Sequence, residues 1–120
     1  MKSTLFGIFL LFTSAYVAAE PPASTTLEID YLFAQLKTSG CEFNRNGTWY
    51  SAAEATAHLN KKYDYLKKKN SIASTEDFIE NAASKSSISG EPYFVKCKDT
   101  PRVESAKWFK DALTRFRKKT

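Results

Sequence analysis

His58 is the only histidine in the chain, so acid–base or metal chemistry at neutral pH has to be built around it. Glu54 stands four residues earlier, a spacing that puts a carboxylate and an imidazole on one helix face and could offer a metal two ligands. Glu54 also fits as the fourth residue of a capping box opened by Ser51, which accounts for it without a metal, and no cofactor is expected. Ser86, Ser87 and Ser89 would supply a nucleophile if their loop approached His58, giving a small hydrolase. No Gly-x-Ser-x-Gly elbow is present, however, and serines beside a Gly turn commonly act as loop caps. Glu42, Glu54, Asp64 and Glu91 are the acids from which a glycosidase pair would be drawn, yet a domain of about a hundred residues offers little room for a polysaccharide cleft. No catalytic residue is therefore assigned.

A different grouping accounts for more of these residues. Arg45, then Glu54, His58 and Lys62, then Ser86, Ser87, Ser89 and Tyr93 could converge into one polar patch that binds a partner. An internal arrangement competes with it: Arg45 salt-bridging Glu54, the serines capping the third helix and its turn, and Tyr93 packing on the hairpin.

The elements that must position this set follow from periodicity and punctuation. Lys2 precedes an apolar run from Leu5 to Phe12, and Val17-Ala18-Ala19 places small residues where a leader peptidase cuts. Residues 1–19 are expected to be a removable export signal, cleaved after Ala19 and too short to span a bilayer, and no transmembrane segment is expected. The remaining 101 residues suit one domain. In an oxidising compartment Cys41 and Cys97 should form a disulfide, leaving no thiol for catalysis.

Residues 20–26 contain Pro21-Pro22 and are expected to be a mobile leader, with order beginning near Thr25. Thr25 with Glu28 has the capping-box pattern, and Ile29, Leu32, Phe33 and Leu36 form an amphipathic stripe that Ser39-Gly40 ends. Asn46-Gly47 between Phe43 and Trp49-Tyr50 predicts a type I′ hairpin, which also explains the Asn46-Gly47-Thr48 acceptor triplet without glycosylation. Ser51 opens a second helix with Ala55, Leu59, Tyr63 and Leu66 on its apolar face, running to Lys67–Asn70. A third helix starts near Ser74-Thr75 and buries Phe78, Ile79 and Ala82 or Ala83. Residues 84–90 form a polar loop, Tyr93–Cys97 a strand, and a last helix from about Ser105 turns Trp108, Phe109, Ala112, Leu113 and Phe116 inward. The class is thus α+β: about four helices, a hairpin or three-stranded sheet and one disulfide over residues 27–117, with a basic tail at 118–120.

Charge is uneven: residues 20–60 carry five acids against Lys37 and Arg45, whereas residues 61–120 carry fifteen Lys or Arg against eight acids. The runs at Lys67–Lys69 and Arg115–Lys119 are read as solvated helix ends, since neither lies among aromatics spaced for base stacking, and nucleic acid is not expected as a partner.

Arg45-Asn46-Gly47, Tyr50-Ser51-Ala52-Ala53-Glu54-Ala55, His58-Leu59, Lys62-Tyr63, Phe78-Ile79, Ala83, Ser86-Ser87, Ser89-Gly90, Tyr93, Val95 and Cys97 together resemble the YfeK-like family of small exported proteins of Gram-negative bacteria. The resemblance implies a periplasmic address and this domain plan, and brings no mechanism with it. The expectation is a non-enzymatic periplasmic domain that binds another periplasmic protein or a cell-envelope component. The alternatives are an inhibitor or immunity protein for a peptidoglycan-directed enzyme, and a small hydrolase using His58.

Overall fold

The computed structural model describes Gly7 and residues 21–119. Apart from Gly7, the expected export signal at 1–19 lies outside the described residues. The chain runs α1 (Ala23–Thr38), β1 (Glu42–Arg45), β2 (Thr48–Tyr50), α2 (Ala52–Lys68), α3 (Thr75–Ala82), β3 (Phe94–Lys96), β4 (Val103–Glu104) and α4 (Ser105–Lys119). The strands form one antiparallel sheet in the order β2-β1-β3-β4. The α+β class, the four helices and the disulfide are as the sequence predicts. The sheet gains a fourth strand, whose two residues before α4 are too few to show an alternating pattern.

The start of α1 corrects the reading of its cap. The helix begins at Ala23, so residues 23–26 of the expected leader are helical, and Pro22 occupies the N-cap at φ −51° with no side-chain cap bond. Proline suits this boundary because it has no N–H to orphan, while its carbonyl accepts the first helical bond from Thr26 N at 3.0 Å. Thr25 is buried in the first turn instead of capping it. Glu28 reaches across to other helices: its carboxylate accepts from Thr75 Oγ1 at 2.6 Å and from Arg117 Nε at 2.7 Å, and Arg117 also pairs with Glu76. This clamp joins α1, α3 and α4, and the Arg117 guanidinium with the Thr75 hydroxyl holds the Glu28 carboxyl below its ordinary range. The basic tail expected from residue 118 is likewise helical as far as Lys119, where cations complement the helix dipole.

One core lies between the helices and one face of the sheet. Ile29, Leu32 and Leu36 from α1 meet Leu59 and Tyr63 from α2, Phe78 and Ile79 from α3, Phe109 and Leu113 from α4, and Phe43 and Val95 from the sheet. Both Ala82 and Ala83 are buried. Trp108, expected inward, is half-buried and stands edge-on to Phe109 with ring centroids 5.0 Å apart. Cys41 and Cys97 flank the Glu42–Lys96 pair, and their bond ties the end of α1 to the β1–β3 ladder.

Candidate functional site

Four short-range devices bring the polar set together. Asn46 and Gly47 both take positive φ, 51° and 83°, the geometry a two-residue I′ turn demands, and Arg45 is thereby fixed at the hairpin end of β1. Arg45 stands two residues after Phe43 and shares its face, so its side chain extends past the core toward α2. Ser51 and Glu54 complete the capping box, with Oγ accepting from Glu54 N and Oε1 accepting from Ser51 N, both at 3.1 Å. That box fixes the start of α2, and His58 and Lys62 follow one and two turns along it. Residues 84–92 are drawn back by a bridge between Lys85 and Pro92, with Tyr93 N donating to Ser84 O and Ser86 N to Glu91 O, each at 2.9 Å. Tyr93 is consequently buried against Phe43, with its hydroxyl at the edge of the core.

The result is a continuous polar cluster. Arg45 Nη1 contacts both ring nitrogens of His58, Nδ1 more closely and Nε2 at 3.0 Å, while Nη2 reaches the Tyr50 hydroxyl at 3.4 Å. A guanidinium presents only donors, so the ring nitrogen facing it must accept and the imidazole must be neutral. Nε2 also lies 3.3 Å from the Tyr93 hydroxyl. The same oxygen accepts from Lys62 Nζ at 3.2 Å, and Lys62 donates a second time to the Lys85 carbonyl at 3.0 Å.

The electrostatics follow from this geometry. Burial, then the charges of Arg45, Lys62 and Lys61, push the His58 pKa down to about 4. Burial and the Arg45 charge bring Lys62 down to about 8. Burial also raises the Tyr93 phenol, so it keeps its proton at neutral pH.

Ser86, Ser87 and Ser89 divide their roles. Ser86 is buried, accepts from the backbone N–H groups of Ile88 and Ser89, and receives Asn46 Nδ2 at 3.4 Å. Ser89 Oγ donates to Asn46 Oδ1 at 2.7 Å, so the hairpin turn and the serine loop are latched by one amide. Ser87 and Ile88 join Arg45, His58, Lys62 and Tyr93 in lining an open depression of about 310 Å³. On the hairpin side His58 borders a second depression of about 360 Å³ with Arg45, Tyr50, Glu54 and Lys61, and on the other side a third of about 300 Å³ with Lys61, Tyr65 and Ser87.

Parts of the internal arrangement are present. Tyr93 does pack on the hairpin and two serines do organise their turn. The Arg45–Glu54 salt bridge does not form: Glu54 is held by Ser51, and Arg45 turns to His58 and Tyr50. Among the described residues no carboxylate lies within ion-pair distance of Arg45 or Lys62, and no three His, Cys, Asp or Glu side chains group as metal ligands. Both His58 ring nitrogens lie within reach of Arg45, and among the described residues no carboxylate is hydrogen-bonded to the ring. Sequence reasoning missed Asn46 as a latch, for it reads as a turn residue. Lys61 and Tyr65 were also missed, although their spacing of three and seven from His58 puts them near the same helix face.

No curated protein and no solved structure matches the chain. Residues 23–117, which take in nearly all of the helices and the whole sheet, match a family of unknown function (DUF5329), and the chain belongs to that family.

Proposed function

We propose that this protein is a non-enzymatic binding domain of the cell envelope, and that the depression between the hairpin, α2 and residues 84–92 is where it binds. The observation that carries this reading is the convergence of Arg45 and Lys62, from separate elements, on one open depression where no acid among the described residues pairs with either. Burying part of two like charges opposes folding, and a side chain set against stability is retained where something outside the chain completes it. The imidazole beside them is neutral and engaged, which favours recognition over turnover. Address rests on the Cys41–Cys97 bridge, which persists in oxidising compartments. Among the described residues no helix is long and apolar enough to cross a membrane.

The test is affinity capture from a cell-envelope extract of the source organism, comparing the wild-type protein with the double variant Arg45→Gln, Lys62→Met. A component held by the wild type and lost by a folded double variant supports the reading. Capture that is unaffected by the two substitutions refutes this location of the site, and conversion of an extract component that His58→Gln abolishes refutes the non-enzymatic assignment.

A further inference from the structure

Counting donors in the cluster leaves several without an acceptor. Lys62 has three N–H donors and uses two, on the Lys85 carbonyl and the Tyr93 hydroxyl. Arg45 has five and directs them at two partners, His58 and Tyr50. The ion pairs among the described residues lie elsewhere: Lys67 with Asp64, Lys107 with Asp111, and Arg117 with Glu28 and Glu76. Arg45 and Lys62 differ from these in being half-buried together, and the Ser87 side chain borders the same space.

We propose that the space bounded by Arg45, His58, Lys62, Ser87 and Tyr93 is a binding site for a doubly charged oxyanion, a phosphate monoester. The proposal rests on the reading that this depression is the binding site, and adds the chemistry of what it takes. Charge decides the class. A carboxylate would balance one of the two cations and leave the other uncompensated in a partly desolvated place, whereas a phosphate monoester carries nearly two negative charges at pH 7 and accepts through three oxygens. The guanidinium offers the fork and the ammonium the point charge that phosphate sites combine. A neutral His58 adds no third charge. Ile88, which is 99 % exposed at the rim, is where a lipid headgroup would leave its apolar part and a soluble monoester would leave nothing.

The site should lose affinity as the pH rises through about 8, because Lys62 gives up its proton there. The groups facing it are Arg45 from β1, His58 from α2, and Tyr93 with the Lys85 carbonyl from the loop. The second ionisation of the monoester, with a pKa of about 6, is complete before that point, so the loss belongs to the protein.

The experiment is a titration of the purified protein with glycerol 3-phosphate at constant ionic strength, followed by backbone amide shifts, with sodium acetate in parallel and vesicles with and without phosphatidate as a third arm. Saturable shifts centred on Arg45, His58, Ser87 and Tyr93 are expected, with acetate at least about tenfold weaker. Lys62→Met should raise the Kd at least about tenfold, and Lys107→Met, on the surface of α4, should leave it unchanged. Should Lys62→Met fail to fold, Arg45→Gln reads the same loss. Sedimentation with phosphatidate vesicles that Ile88→Ser abolishes assigns the monoester to a lipid, and saturation by glycerol 3-phosphate without sedimentation assigns it to a soluble molecule; either supports the site. Acetate binding as tightly as glycerol 3-phosphate overturns the dianion assignment, and a linear response no different from that to chloride overturns the anion site altogether. If the anion fails while envelope capture still depends on Arg45 and Lys62, the chemistry proposed here is wrong and the binding-site reading stands.

Discussion

Lowering the pH from 7 to 4 reads the environment of His58 directly. In the unfolded chain the imidazole titrates near 6.5, and in the folded protein burial and the neighbouring cations hold it to about 4. Between those values the unfolded state takes up a proton that the native state refuses. Stability from this group is therefore fully present above about 6.5 and declines as the pH falls toward about 4. One proton is worth about 1.4 kcal/mol per pH unit, which over this interval gives an upper figure of about 3 kcal/mol. The ring borders three open depressions, so solvent screening reduces the expectation to about 1–2 kcal/mol. Glu28 does not confuse the reading, because its depressed carboxyl begins to cost stability only as the pH falls below the ordinary 4.5. The assay is urea unfolding at half-unit steps from pH 7 to 4.5 for the wild type and His58→Gln. The glutamine oxygen can accept from Arg45 and does not titrate, so the variant should be nearly flat where the wild type slopes. Parallel profiles for the two proteins would refute the account of a neutral imidazole held among cations.

Three further outcomes follow from the packing. Leu59→Ala, at a site with no solvent exposure in the middle of α2, should cost about 2–4 kcal/mol in urea unfolding, and a loss below about 0.5 would mean that α2 contributes another face to the core. Native protein should show no reactive thiol until denatured and reduced, and replacing both Cys41 and Cys97 with Ala should cost up to about 4 kcal/mol, the closure entropy of a bridge across a sequence separation of 56. Glu28→Gln should lower the melting temperature at pH 7 and flatten the acid limb below pH 4.5, since it removes the charge that pairs with Arg117 and sets an amide donor in place of one of the two oxygens that accept from Arg117 and Thr75; an unchanged melting curve would show the clamp to be idle.

Much of this arrangement was legible in the sequence because it is local. Asn46-Gly47, the Ser51–Glu54 box and the stripe Ala55, Leu59, Tyr63 each follow from rules acting within a few residues, and each stands in the structure where those rules put it. The failures have a common cause in contacts between distant segments. Thr25 and Glu28 carry the capping signature, but Thr25 is buried in the first turn and Glu28 lies close enough to Arg117, 89 residues away, to serve the tertiary clamp. Pro22 then supplies the boundary through its backbone alone. Arg45 turns to His58 and not to Glu54, a choice the sequence left open because the competition between the two depends on how far β1 stands along α2. That distance is set by the disulfide and the β1–β3 register, which no short window contains. Asn46 joins Ser89 across 43 residues for the same reason.

On the binding reading proposed above, Arg45 and Lys62 are held apart from acids so that an outside anion completes them. A crystal structure of the protein grown with glycerol 3-phosphate tests it in one measurement. A tetrahedral group is expected within about 3 Å of both Arg45 and Lys62, with Arg45 still on His58 and Tyr50 and Glu54 still closing its box on Ser51. An empty depression in which Glu54 has swung onto Arg45 would contradict it, and would return the cluster to the interior of the fold as a structural pair.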